Sequence, residues 1–315
     1  MLRAMSWFSR VVAVVGLVIV AWVLVTELPA VVHGHPAYAV VLLVTVLACL
    51  GTLWRHRRVR PWATGWWRRT LSIALTVFAV LGLAVVAWSR PHSAEEPALT
   101  AMESDAQVTV DESLTRIVME PTGGASGTGV FFQPGAKVDA RAYAAVLRPL
   151  AEAGYPVVIV KQPMSIAPLA LGAFDGVQDD FPEITSWIVG GHSLGGVMAS
   201  MTADDHDSDA TSPVRGLLLY ASYPNGDLSD SLTADVLSIS GSNDGLATPS
   251  DIEDSEAKLP SDSEFLVIKG GVHAFFGDYG PQGGDGTPDI SHDDARTQIS
   301  DASVAFAEQV EADAR

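Results

Sequence analysis

The chain has 315 residues, and its formal net charge of −18 is unevenly divided: residues 1–89 hold 8 Arg and 1 Glu, and the rest holds 11 basic and 36 acidic side chains. So acidic a C-terminal part repels phosphate backbones, which excludes a nucleic-acid partner. The only cysteine, Cys49, lies in an apolar run, so the acidic part has neither a disulfide framework nor a cysteine nucleophile.

Residues 11–28, 37–53 and 71–88 are long apolar runs whose only charge is Glu27. Each approaches the ~20 residues that a helix needs to cross a hydrocarbon core, and Trp7, Trp54, Trp66, Trp67 and Trp88 near their ends fit an interfacial belt. Three transmembrane helices are expected. Arg3 and Arg10 precede the first run, while Arg55, Arg57, Arg58, Arg60, Arg68 and Arg69 crowd the stretch before the third. By the positive-inside rule these segments are cytoplasmic, so the chain after Trp88 emerges outside, as a multi-pass protein of the cell membrane. Reading the first run as a cleaved signal peptide leaves that outward placement unchanged.

Residues 90–111, rich in Pro, Ala, Ser and Glu, are expected to form a tether between a 1–89 anchor and a folded unit at 112–315. In that unit, β-favouring runs at 114–119, 129–132, 157–160, 187–189, 216–221, 236–240 and 265–268 alternate with helical stretches at 139–153, 194–202, 249–258 and 293–312. The alternation predicts an α/β fold with a mostly parallel sheet flanked by helices, and ligands at the carboxyl ends of its strands.

GGHSLGG at 190–196 places Ser193 in a G-x-S-x-G pattern between a strand and a helix. A serine on such a turn is exposed for attack, and a Cβ on either flanking glycine would collide with neighbouring backbone. The hydroxyl needs a base, and the base needs an acid to orient it. Asp244 in GSNDGLATP follows one strand run and His273 in KGGVHAFFGDYG follows the next, giving the order Ser, Asp, His. Asp227 is a rival acid. Among the histidines, only His292 competes with His273, since the others lie near the membrane runs, inside the turn or in an acidic stretch.

An oxyanion needs fixed donors: the Leu194 N–H is one, and Gly135 or Ala136, in the loop after the 129–132 run, supplies the other, because Pro134 has no N–H. Phe275, Phe276 and Tyr279 are expected to line the mouth, and Lys161 to meet an anionic substrate group. The acidic stretch 203–209 and Asp278, Asp285 and Asp289 lack the spacing of a calcium loop; they are expected to be solvated loops, with no metal and no cofactor.

Four segments, FFQPGAKVDARAYAAVLRPLAEAGYPVVIVKQP, WIVGGHSLGG, SGSNDGLATP and GGVHAFFGDYGPQGGDG, resemble the α/β-hydrolase superfamily, and within it the compact dienelactone-hydrolase-like bacterial esterases. The resemblance spans residues 114–312 and implies the same fold and triad. Members often carry Asn before the catalytic His and Gln two places after it; Val272 and Phe275 stand there in this chain. Dienelactone hydrolases use a cysteine nucleophile, so their named activity does not transfer to Ser193. The expected function is a membrane-anchored, outward-facing serine hydrolase of small carboxylic esters or thioesters. The rivals are an acyltransferase, and a non-catalytic binding or sensing domain on the same scaffold.

Overall fold

The computed structural model describes residues 2–58 and 66–313, and the chain divides into two compact units, Met1–Pro91 and His92–Arg315. The first unit holds the helices α1 (Leu2–His33), α2 (Pro36–Arg58) and α3 (Trp66–Trp88). Their segments Trp7–His33, Pro36–Arg55 and Thr70–Trp88, with mean hydropathies of 2.6, 2.2 and 2.4, are long and apolar enough to cross a membrane. α1 kinks at Glu27, two residues before Pro29, because proline removes a backbone donor and its ring crowds the preceding turn. The Glu27 carboxylate pairs with Arg90, whose guanidinium lies 4.9 Å over the Trp22 ring. Part of the arginine-rich stretch that sets the expected orientation, residues 59–65, lies outside the described residues.

The second unit runs in order α4 (Ala98–Ala101), β1 (Val108–Glu112), β2 (Arg116–Pro121), β3 (Thr128–Gln133), α5 (Ala144–Glu152), β4 (Val157–Val160), α6 (Ala173–Asp180), β5 (Ser186–His192), α7 (Leu194–His206), β6 (Val214–Tyr220), β7 (Asp235–Gly241), α8 (Pro249–Glu256), β8 (Glu264–Ile268) and α9 (His292–Asp313). The strands form one sheet in the order β1-β2-β4-β3-β5-β6-β7-β8. β2 is antiparallel to both neighbours, and every other pairing is parallel.

All residues of β3, β4 and β5 are buried, as expected of strands covered on both faces. Val130, Phe132 and Ile188 face a core shared with α5 and α9, while Phe131, Trp187 and Val189 face one shared with α6 and α7. This period-2 division sets the register of the central strands and brings their carboxyl ends to one rim.

The expected tether is instead folded. His92 bridges to Val138, the Glu95 N–H donates to the Asp278 carbonyl at 2.8 Å, and Ala98 and Val108 are fully buried. β1, VTVDE, is a short edge strand with only Val108 buried, and its two apolar residues are too few to mark a strand in the sequence. β2 likewise starts later than expected: Leu114 is 69% exposed, in the turn closed by the Ser113 N–H to the Arg116 carbonyl.

Candidate active site

β5 ends where the chain must reverse sharply into α7, and Ser193 makes that reversal with φ +53° and ψ −124°. A side-chain-bearing residue pays for this left-handed conformation in strain, so the surroundings must hold it. They do so through its backbone: the Ser193 N–H donates to the Tyr220 carbonyl at 3.0 Å, and its carbonyl accepts from the Gly196 N–H at 2.9 Å and the Ser222 hydroxyl at 2.7 Å. The flanking glycines are sterically required. A Cβ on Gly191 would overlap the Gly195 carbonyl carbon, and one on Gly195 would overlap the Gln133 carbonyl oxygen. Ser193 itself is half-buried, open enough to meet a substrate.

Asp244 and His273 stand on the turns after β7 and β8. His273 Nδ1 lies 2.9 Å from Asp244 Oδ2, and both side chains are buried. The other carboxylate oxygen of Asp244 accepts the Leu246 and Ala247 N–H groups at 2.8 and 2.9 Å, so the acid is fixed by its own turn. With Nδ1 engaged, Nε2 is the ring nitrogen left for a substrate-side partner. His192, the residue before Ser193, has its ring centroid 4.5 Å from that of His273, which sets the imidazole beside the elbow. The rivals stand elsewhere: Asp227 is exposed and accepts from Ser229, and His292 faces Asp278 at 3.5 Å.

Sequence reasoning passed over His192 as a mere occupant of the turn. Its imidazole is 1% exposed, and its Nδ1 lies 2.8 Å from the Tyr143 hydroxyl, which also accepts the Gly135 N–H at 2.9 Å. Burial, and then the charge of His273, push the His192 pKa well below the usual 6.5, so this second imidazole stays neutral beside the first. Burial likewise raises the Tyr143 hydroxyl above its ordinary range. Nothing in the local sequence marks Tyr143, whose role depends on a partner 49 positions away.

The expected oxyanion donors separate here. The Gly135 N–H is already given to Tyr143, whereas the Ala136 N–H has no hydrogen-bond partner among the described residues. Leu194 opens α7, where the first N–H groups lack intrahelical acceptors.

Two substrate-side expectations are corrected. Lys161 is 4% exposed and its Nζ is held by Glu112 and the Ser113 carbonyl, both at 2.7 Å, leaving no free cation for a substrate. Phe276 is 1% exposed and stacks on His192 at 5.9 Å, so it belongs to the core behind the site. Phe275 is half-buried and stacks on His292 at 4.4 Å. The acidic loops also differ from expectation. Asp278 is buried against Arg296, and Asp207 accepts the Thr233 N–H and hydroxyl. A cavity of about 220 Å³ between α7 and residues 167–175 includes Gln133, Met198 and Phe174 in its lining but none of Ser193, Asp244 or His273.

A family model described as "Alpha/beta hydrolase family" matches residues 129–297, more than half of the chain. The chain belongs to the alpha/beta hydrolase family. Among solved structures, a putative dienelactone hydrolase from Klebsiella pneumoniae is similar at 14% identity and a TM-score of 0.49, covering 64% of this chain and 97% of its own. An alpha-beta serine hydrolase homologue from Coxiella burnetii is similar at 13% identity and 0.43, covering 64% and 98%. A thermostable esterase from Pseudomonas putida is similar at 17% identity and 0.47, covering 66% and 86%. No protein of curated function matches the chain significantly.

Proposed function

We propose that the protein is a membrane-anchored serine hydrolase that cleaves small carboxylic esters or thioesters through an acyl-enzyme, with its hydrolase domain outside the membrane. The observation that carries this reading is the buried 2.9 Å contact between His273 Nδ1 and Asp244 Oδ2 beside a strained turn that presents Ser193. An imidazole held from behind by a carboxylate keeps Nε2 free to take the serine proton.

In the first step Ser193 Oγ bonds to the acyl carbon as its proton moves to His273 Nε2. The carbonyl oxygen gains negative charge, and the Leu194 and Ala136 N–H groups receive it. The bond to the leaving group then breaks, and His273 returns the proton to the departing alkoxide or thiolate. Water enters, His273 takes one of its protons, and the new tetrahedral intermediate collapses to release the acid and restore the Ser193 hydroxyl. Asp244 stays ionised throughout and stabilises the imidazolium. The arginine distribution around the three apolar helices supports the outward placement.

Hydrolysis of p-nitrophenyl acetate by the full chain in detergent tests this directly. Ser193→Ala is expected to lower turnover by roughly four to six orders of magnitude, leaving only what binding and the amide donors provide. Parental turnover in that variant refutes the assignment.

A further inference from the structure

The contact between Asp244 and His273 joins two neighbouring turns, whose bases also meet where the Asn243 N–H donates to the Gly271 carbonyl at 2.9 Å and the Gly270 N–H to the Ser242 hydroxyl at 2.8 Å. The segment that follows the His273–Phe276 turn and leads to α9 runs across both. One carboxylate in it adds a further connection. Asp285 Oδ1 accepts the N–H of Gly245 at 3.2 Å, of His273 at 3.1 Å and of Gly286 at 2.7 Å, while Oδ2 accepts the Ala274 N–H at 2.9 Å. Gly245 directly follows the acid, and His273 and Ala274 belong to the base turn, so this side chain spans the pair whose geometry the reaction needs. Hydrogen bonds to an ionised acceptor are roughly twice as strong as neutral ones.

The surrounding contacts repeat the pattern. Asn243 Nδ2 donates to the Thr287 carbonyl and to Asp289 Oδ2, both at 2.9 Å, and the Asp289 N–H donates to the Gly270 carbonyl at 2.9 Å. The two backbones also touch. A Cβ on Gly245 would come within 2.7 Å of the Gly284 carbonyl oxygen, and one on Gly286 would overlap the Asn243 carbonyl oxygen.

We propose that Asp285 is a positioning residue of the active site, whose carboxylate clamps the turn bearing Asp244 to the turn bearing His273 and so fixes the hydrogen bond that orients the imidazole. The proposal rests on the reading of Ser193, Asp244 and His273 as a triad. It accounts for a carboxylate that makes no ion pair among the described residues yet gathers four backbone donors. An asparagine in its place can keep the oxygen that three donors share, but sets an NH₂ group against the Ala274 N–H. It therefore preserves part of the clamp, whereas alanine removes all of it.

The test compares kcat and KM for p-nitrophenyl acetate in the full chain, Asp285→Ala, Asp285→Asn and Ser193→Ala, each assayed below its own melting temperature. A misplaced imidazole costs turnover rather than binding, so Asp285→Ala is expected to lower kcat by about 10- to 100-fold while KM changes by less than about 3-fold. Asp285→Asn is expected to recover most of that loss. A folded Asp285→Ala protein with parental kcat, or an Asp285→Asn protein no better than Asp285→Ala, overturns the clamp. Should Asp285→Ala not fold, Asp285→Ser, whose single short hydroxyl cannot gather the four donors, takes its place, and a folded Asp285→Ser protein with parental kcat contradicts the proposal. The Ser193→Ala arm separates the two ideas: if it is inert while Asp285→Ala is unimpaired, only the clamp fails, and if it stays active, the triad and the clamp fail together.

Discussion

Two imidazoles 4.5 Å apart cannot both carry charge at low cost, and the structure leaves the task to one of them. His192 is held neutral by burial and by its neighbour, and His292 is held below its usual range mainly by burial. Once unfolded, both return to an ordinary value near 6.5, so acidification below that point protonates the unfolded chain before the folded one. The stability they contribute is therefore complete above about pH 6.5 and drains away as the pH falls, by up to about 1.4 kcal/mol per pH unit for His192. Asp278, whose carboxyl burial raises above its usual range, works in the opposite sense at lower pH. Melting temperatures of the parent and of His192→Gln between pH 7.5 and 5 check the sign: the parent is expected to lose stability more steeply, and equal slopes contradict the account. At this scale the sequence offered Ser193, Asp244 and His273 as candidates, because strand ends and turn residues announce themselves locally. It could not reveal that Lys161 is bound by Glu112, that Phe276 backs the site, or that Asp285 braces it, since each depends on a neighbour brought in by the fold.

Among the elements, the alternation of β-favouring and helical runs was legible wherever a strand is buried on both faces. It failed at the edge. α4 and β1 hold Ala98 and Val108 fully buried but show too few apolar residues to be seen, and the same stretch reads as a tether. β1 covers the outer edge of β2, whose backbone donors and acceptors would otherwise be open to pairing with another chain. A chain of residues 92–315 is accordingly expected to be soluble and monomeric, whereas one of residues 113–315, lacking α4 and β1, is expected to aggregate or melt well below it. Size-exclusion chromatography and thermal melting compare the two. Equal behaviour would show that these elements are appendages and that the tether reading was right.

As a whole, the molecule joins a unit with three helices long and apolar enough to cross a membrane to an acidic alpha/beta hydrolase unit. In the first, helices satisfy their own backbone polar groups, as a hydrocarbon surrounding requires. In the second, a covered sheet brings the ends of β5, β7 and β8 to one rim, where the serine turn and the paired imidazole and carboxylate stand. Activation of Ser193 is the property on which the proposed chemistry depends. A fluorophosphonate reacts with a serine whose proton is being removed and ignores an ordinary hydroxyl, so the decisive measurement is peptide mapping by mass spectrometry after the full chain has been labelled. The account predicts one adduct, on Ser193, lost when His273 is replaced by alanine; no adduct, or one that persists without His273, contradicts it.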